Sequence, residues 1–385
     1  MRKRPTLLVS TCGTSLLTNA LRGAPGEPTY ERALVFDNAN AASEEAIPEA
    51  DRAALAELIR RARARLDDGD PAAVQRASAE LNALLRIDGA LAPDTLHYLI
   101  ASDTYLGRAT AAMVADYLAE RGTQAQVIGI DGLSTASAAG FRDGIKELLR
   151  FLDETLAGFG ETGASRQQSH HVVFNLTGGF KSLLGFMTAI GNFYADEVVY
   201  VFEGGRELLR IPKLPLRLDE IGLRASVGKL LLMSAGAYLP AAELTPLSPA
   251  LLEEAGDDRY GLSVWGELVW RRLRDDWLAA ELVDLPRLHY EDSFRKDFTR
   301  AERRVRIDLQ ETLADVSRRL GAAGGDTAAL KGGRGGGLLY DNYTGRDSAY
   351  GHFRLTQGMR VSCEARGGTL YLRHVGAHDY VNDRP

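Results

Sequence analysis

The chain is poor in cysteine, with Cys12 and Cys363 the only two among 385 residues. They lie far apart and no export signal accompanies them, so they read as buried or free thiols of a cytoplasmic protein rather than a disulfide framework. No Cys/His spacing resembles a zinc site, and no metal is expected. No stretch of about 18 apolar residues lacks charge, so no membrane span is expected. The basic start Met1-Arg2-Lys3-Arg4-Pro5 leads only into Leu7-Leu8-Val9, too short for the apolar core of a secretion signal. No tandem repeat is visible. What is present is globular: 45% hydrophobic and 25% charged, which excludes a mostly disordered chain, a collagen-like fibre and a coiled coil. At about 150 residues per domain, the length suggests two or three domains.

The net charge of −6 conceals an asymmetry. From Pro286 to Pro385 there are 17 Lys and Arg against 13 Asp and Glu, leaving 29 against 39 in the rest. Four of the seven histidines also fall in these last hundred residues. A basic, histidine-bearing terminal part on an acidic body suggests that the tail meets a polyanion.

Along the first 215 residues, apolar runs alternate with helical periodicity. Strands are predicted at Thr6 to Ser10, Leu96 to Ala101, Gln126 to Ile130, His171 to Leu176, Glu197 to Glu203 and Glu207 to Ile211. Helices are predicted between them, including Thr104 to Arg121, Ser137 to Leu156 and Phe180 to Tyr194. The spacing suits parallel crossovers and a doubly wound α/β sheet. Over 216–285 strand signals vanish and two helices are predicted, Leu223 to Leu239 and Leu262 to Val283. The second carries all three tryptophans, Trp265, Trp270 and Trp277, and reads as a packed hinge or dimerisation helix. From Leu288 the pattern becomes one or two charged helices up to Leu320. A Gly/Ala loop with Lys331 and Arg334 follows, then short strands at Leu338 to Tyr343, Gly351 to Leu355, Met359 to Ala365 and Thr369 to Val375. The Gly367-Gly368 pair marks a hairpin. Helices followed by an antiparallel meander predict a small α+β domain.

Two strand-to-helix turns carry ligand chemistry. One is Ser10-Thr11-Cys12-Gly13-Thr14-Ser15-Leu16-Leu17-Thr18-Asn19; the other is Asn175-Leu176-Thr177-Gly178-Gly179-Phe180-Lys181-Ser182. Each sets glycines and hydroxyls between a strand and a helix start, where free N–H groups and the helix dipole favour an anion. Lys181 adds a full charge. Neither turn matches a Walker A loop or the dinucleotide fingerprint, so an ordinary NTPase or dehydrogenase is disfavoured. A small phosphate-bearing ligand fits the acidic body better than a long nucleic acid.

These two turns, in this order and separation, resemble the ligand loops of CARF domains, the sensor domains of type III CRISPR systems. The resemblance covers about residues 1–215 and implies a Rossmann-like fold and a two-fold homodimer. It also implies an activating cyclic oligoadenylate, cyclic tetra-adenylate before cyclic hexa-adenylate. By it, Thr11, Gly13, Thr14, Ser15 and Asn19 line one part of the pocket and Asn175, Thr177, Gly178, Gly179 and Lys181 another. Ser102, Asp103 and Thr104, at a further strand end, would contact base or ribose, or simply cap a helix.

Near the C-terminus, Arg354 and Arg360 are expected on neighbouring strands or the turn between them, with His378 and Tyr380 after the next strand. Alternation brings such side chains onto one face. Metal-free RNA cleavage needs a proton taken from the 2′-oxygen, a stabilised phosphate and a proton given to the leaving oxygen. Arginine suits the second task, histidine the proton transfers, and tyrosine stacks or positions. Residue types alone favour plainer readings, surface residues or simple RNA binding, over catalysis.

Residues 288–385 resemble RelE-type toxins, small ribonucleases that cut messenger RNA in the ribosomal A site. "GMRV" and "LRHVGAHDYV" are the most specific parts of the match. The resemblance implies that Arg360 stabilises the phosphate, that Arg354 is an accompanying basic residue, that His378 is the general acid and that Tyr380 is the positioning aromatic. Where RelE has paired lysines only Arg354 and His352 are available, so the general base is unassigned, with His352 an alternative.

The expectation is therefore a sensor domain over 1–215, a helical linker or dimerisation region over 216–287 and a RelE-like ribonuclease over 288–385. Together they would form a ligand-activated messenger ribonuclease acting with the ribosome, without a catalytic cofactor. Two alternatives are a ligand-sensing DNA-binding regulator that uses the 216–285 helices as a helix-turn-helix, and a ring nuclease that degrades cyclic oligoadenylate.

Overall fold

The structure is a computed structural model that describes residues 4–22, 35–37, 39, 42–67, 70–157, 165–202, 205, 207–331, 338–344 and 349–384. Most of the loop expected over 22–50, the stretch 158–164, Gly204 and Arg334 lie outside the described residues. The chain divides into two compact units, Met1–Leu216 and Arg217–Pro385.

In the first unit the described strands form one six-stranded sheet in the order β3-β2-β1-β4-β5-β6. The strands are β1 (Thr6–Cys12), β2 (Leu96–Ala101), β3 (Gln124–Gly129), β4 (His171–Asn175), β5 (Glu197–Val201) and β6 (Leu208–Pro212). The first five run parallel and β6 is antiparallel to β5 at the edge. The helices are α1 (Ser15–Arg22), α2 (Glu49–Asp67), α3 (Pro71–Ala77), α4 (Ala79–Leu84), α5 (Tyr105–Ala119), α6 (Ala138–Leu152), α7 (Arg166–Ser169) and α8 (Lys181–Tyr194). Leu7, Leu8 and Val9 are wholly buried because β1 is central and covered on both faces, which is why its sequence is an unbroken apolar run. β1 extends two residues beyond the predicted end, since Thr11 and Cys12 pair with Ile100 and Ala101. Strand order moves outward from β1 to β3, then resumes on the other side of β1 with β4. Such a reversal opens a crevice at the carboxyl ends of the strands.

The second unit contains α9 (Glu220–Arg224), α10 (Val227–Ser234), β7 (Leu239–Pro240), β8 (Leu252–Gly256), β9 (Arg259–Leu262), α11 (Val264–Ala280), β10 (Leu288–Tyr290), α12 (Asp292–Arg300) and α13 (Arg303–Ala322). It ends with β11 (Asp341–Asn342), β12 (Tyr350–Arg354), β13 (Met359–Arg366), β14 (Thr369–Ala377) and α14 (His378–Asn382). A three-stranded sheet runs β7-β9-β8 and a five-stranded one β10-β14-β13-β12-β11. Trp270 and Trp277, with ring centroids 6.4 Å apart, are buried in the same core as Leu230, Phe294, Leu313, Phe353 and Leu372. Residues expected as a linker and residues expected as a separate domain thus share one hydrophobic interior.

Three expectations need correction. Strands do occur within 216–285: β8 and β9 pair around Asp257-Asp258, both at positive φ (53° and 55°), a two-residue turn that Asp tolerates but that carries no Asn-Gly or Asp-Gly signature. The C-terminal sheet is not a pure antiparallel meander, because β10, three residues long and too short to show periodicity, lies parallel to β14. The strand expected over Leu338 to Tyr343 shrinks to Asp341–Asn342, as Leu339 takes φ +48° and breaks the extended run. α10 buries Val227, Leu230, Leu231, Leu232 and Met233 and packs directly against α11, with the small sheet between them in sequence.

Candidate functional site

The turn after β1 and the turn after β4 meet at the crevice. A Cβ on Gly13 would lie 2.9 Å from the nitrogen of Gly179, and one on Gly179, which has φ +99°, would lie 3.1 Å from the Thr11 side chain. Only glycine lets the two backbones approach this closely. Thr11 is fully buried and its hydroxyl donates to the Gly178 carbonyl at 2.5 Å, stitching the turns together.

Four adjacent strand ends then line a cleft of about 100 Å³. They supply Gly13 and Thr14 after β1, Ser102 and Thr104 after β2, Ser134 and Thr135 after β3, and Gly179 and Phe180 after β4. These residues offer hydroxyls, backbone groups and one aromatic ring, and none is charged. Thr104 also caps α5, accepting from Gly107 N–H at 3.1 Å. Helix α8 starts without a side-chain cap, with Lys181 exposed as its first residue.

Of the residues singled out in the sequence, Gly13, Thr14, Ser102, Thr104 and Gly179 line the cleft. Lys181 is exposed, and the others brace the cleft. The buried Asn175 donates to Ser10 Oγ (3.3 Å) and to the Glu80 carbonyl (3.2 Å). Thr177 Oγ1 accepts from Val201 N–H, and Asn19 donates to the carbonyls of Arg76 and Ala77. Asp103 accepts from Gly132 N–H and Arg108. Ser15 donates to Glu80 at 2.9 Å, and Gly178 packs against the same carboxylate. Sequence reasoning missed Ser134, Thr135, Phe180 and Glu80. Ser134-Thr135 repeats the pattern of small hydroxyls ahead of a helix and was there to be found. Glu80 gave no signal, since its partner Ser15 is 65 positions away.

Both cysteines are buried and free. Burial, then the Glu80 carboxylate, pushes the Cys12 thiol well up, and burial pushes Cys363 up to about 12. Both stay protonated and unsuited to nucleophilic work. Among the described residues no group of three or more His, Cys, Asp or Glu is placed to hold a metal ion, and no helix is long and apolar enough to cross a membrane.

In the second unit, register places the C-terminal residues in rows. Arg354, Arg360 and Gly376 are partners across β12, β13 and β14; His352, Ser362 and His374 form the next row. Val361, Cys363 and Phe353 point into the core, so by alternation these rows face away from it. Arg360 is only 9% exposed, and its Nη1 donates to the carbonyls of Thr356, Gln357 and Met359 at 3.3–3.5 Å. Burial, then Arg354, lowers its pKa. Next to it, Arg354 Nε and His352 Nδ1 are buried without hydrogen-bond partners. Burial, then Arg360, lowers the pKa of His352, with Asp341 opposing, so the imidazole is neutral at neutral pH. The Tyr343 ring lies on it at 4.7 Å.

α14 carries the remaining two residues. His378 is exposed, with its backbone N–H on the Gly358 carbonyl at 2.9 Å and its ring against Asp379 and Asn382. The Tyr380 ring covers Gly376, where a Cβ would meet it at 2.8 Å. Its hydroxyl donates to Asp297 Oδ1 at 2.9 Å, while Asp297 Oδ2 takes His374 Nδ1 at 3.0 Å and Val375 N–H at 3.3 Å. Burial and this carboxylate raise the Tyr380 pKa, so it remains a phenol. The Asp297–His374–Tyr380 cluster had no signature in the sequence, for α12 and β14 meet only in the fold.

Residues 75–214 match a protein family described as CRISPR-associated protein (Cas_APE2256). The matched span holds the cleft residues from Ser102 to Phe180 and Glu80, and it supports a CRISPR-associated protein. No curated protein matches the chain.

Proposed function

We propose that the protein is a cyclic oligoadenylate-activated, metal-independent endoribonuclease of CRISPR defence that cuts messenger RNA on the ribosome. The observation that carries the reading is the cleft at the strand-order reversal, whose lining from Ser102 to Phe180 falls in a segment similar to a CRISPR-associated family, while Gly13 and Thr14 precede that segment. Its hydroxyls and glycine backbones suit the sugars and phosphates of a nucleotide, and Lys181 at the uncapped start of α8 suits an anion. At about 100 Å³ the cleft is smaller than the 300–1,000 Å³ usual for a complete ligand site. A ring of nucleotides would need a second copy, and a two-fold axis shared by dimer and ring supplies it.

The effector half of the reading rests on the two rows of β12–β14. Arg354 Nε, buried without a hydrogen-bond partner beside Arg360, suits a phosphate oxygen. In the cleavage step a base takes the 2′-hydroxyl proton and the 2′-oxygen bonds to phosphorus. The bond from phosphorus to the 5′-oxygen breaks, and an acid protonates the departing oxygen, leaving a cyclic 2′,3′-phosphate. Arg360 and Arg354 would carry the phosphate charge, His378 would be the acid, and neutral His352 is a ready acceptor for the base's role. Tyr380, held by Asp297 as a phenol, would position rather than accept a proton.

The test is a translating-ribosome reaction with and without cyclic tetra-adenylate, reading messenger cleavage sites. Ligand-dependent cuts in the A site are expected; their absence overturns the reading. Linear products from the ligand itself would favour a ring nuclease.

A further inference from the structure

Glu80 is a wholly buried acidic residue bonded to the cleft-lining Gly13, and no part of the proposed chemistry uses it. One carboxylate oxygen accepts from Gly13 N–H at 2.8 Å; the other accepts from the hydroxyls of Ser15 at 2.9 Å and Ser78 at 2.7 Å. Its backbone carbonyl accepts from Asn175, and a Cβ on Gly178 would sit 2.1 Å from its Oε1. Its carboxylate therefore binds the turn after β1 and packs on the turn after β4. Two of these donors, the Gly13 N–H and the Ser15 hydroxyl, belong to the strand-to-helix turn that the sequence offers to a ligand phosphate, and the third, Ser78, caps α4.

We propose that Glu80 is the resident anion of the sensor site: the turn after β1 cradles this carboxylate rather than a ligand phosphate, and the carboxylate positions both turns for ligand. Three donors on one buried carboxylate leave little capacity for a second anion there, and like charges at that spacing repel in a poorly hydrated interior. What the first turn shows the ligand is then neutral, chiefly Thr14 and the Gly13 backbone. Ligand phosphates are directed away from it, towards the open start of α8. The positional claim stands on geometry alone; its consequence for ligand rests on the sensing role proposed above.

The experiment uses the full chain. Glu80→Ala removes the equivalent of one acetate ion. The variant is expected to unfold roughly 5–10 °C lower than the unaltered protein. Sodium acetate should restore most of that shift saturably, while chloride of equal ionic strength should not. Acetate acting no better than chloride overturns the proposal. Glu80→Gln keeps the volume but turns an amide NH₂ towards donors. It is expected to lower the unfolding temperature and weaken cyclic tetra-adenylate binding about tenfold or more. A Gln variant as stable as the unaltered protein overturns the proposal, also where the Ala variant fails to fold. If the unaltered protein binds no cyclic tetra-adenylate, the sensing role fails, and the acetate response still decides what Glu80 does.

Discussion

Burial divides the histidines by chemistry. His97 in β2 is 1% exposed; its Nε2–H donates to the Ala90 carbonyl at 2.7 Å and its Nδ1 has no partner. Burial therefore lowers its pKa. The unfolded chain, with an ordinary value of about 6.5, takes up a proton before the folded one does. Stability is full above about 6.5 and falls as pH drops through the window down to the folded value. Urea unfolding at pH 7.5 and 5.5 should show this loss, and His97→Gln should flatten it. In the second unit, Arg360→Ala should cut ligand-activated messenger cleavage about 10²–10³-fold, measured as single-turnover rate. Asp297→Asn should slow it through His374 and Tyr380. A positioning role predicts a lower kcat, with the ribosome concentration for half-maximal rate little changed.

At the scale of elements, the sheet of the first unit was open to sequence reading because a buried parallel strand and an amphipathic helix each carry their own period. β1, β2, β4 and β5 fall within a residue or two of expectation. β10 and the β8–β9 hairpin were not, for they are specified by a partner strand and by two aspartates in an unusual turn rather than by pattern. The site divides likewise. Glycines and hydroxyls at strand ends are local features, whereas Glu80 meets Ser15 and Asp297 meets Tyr380 across 65 and 83 positions, in the fold alone. The contact between the two turns makes a sharp prediction. Gly13→Ala pushes a methyl into the Gly179 backbone and should lower cyclic tetra-adenylate affinity at least about tenfold by calorimetry, while leaving α5 and α6 intact by hydrogen exchange.

For the whole molecule, the proposed sharing of a cleft too small for the ring predicts a stoichiometry of one cyclic tetra-adenylate per two chains, which mass spectrometry of the intact complex would read directly. The second unit constrains how its C-terminal part could be isolated. Trp270 and Trp277 of α11 share an interior with Phe294, Leu313 and Leu372. Expressed alone, 288–385 should be molten or insoluble, while 217–385 should give dispersed amide spectra. On the proposed reading such an effector cannot be shed: a protease cut near residue 287 would leave the blade still sheathed in its handle, and stripping the handle away would blunt it.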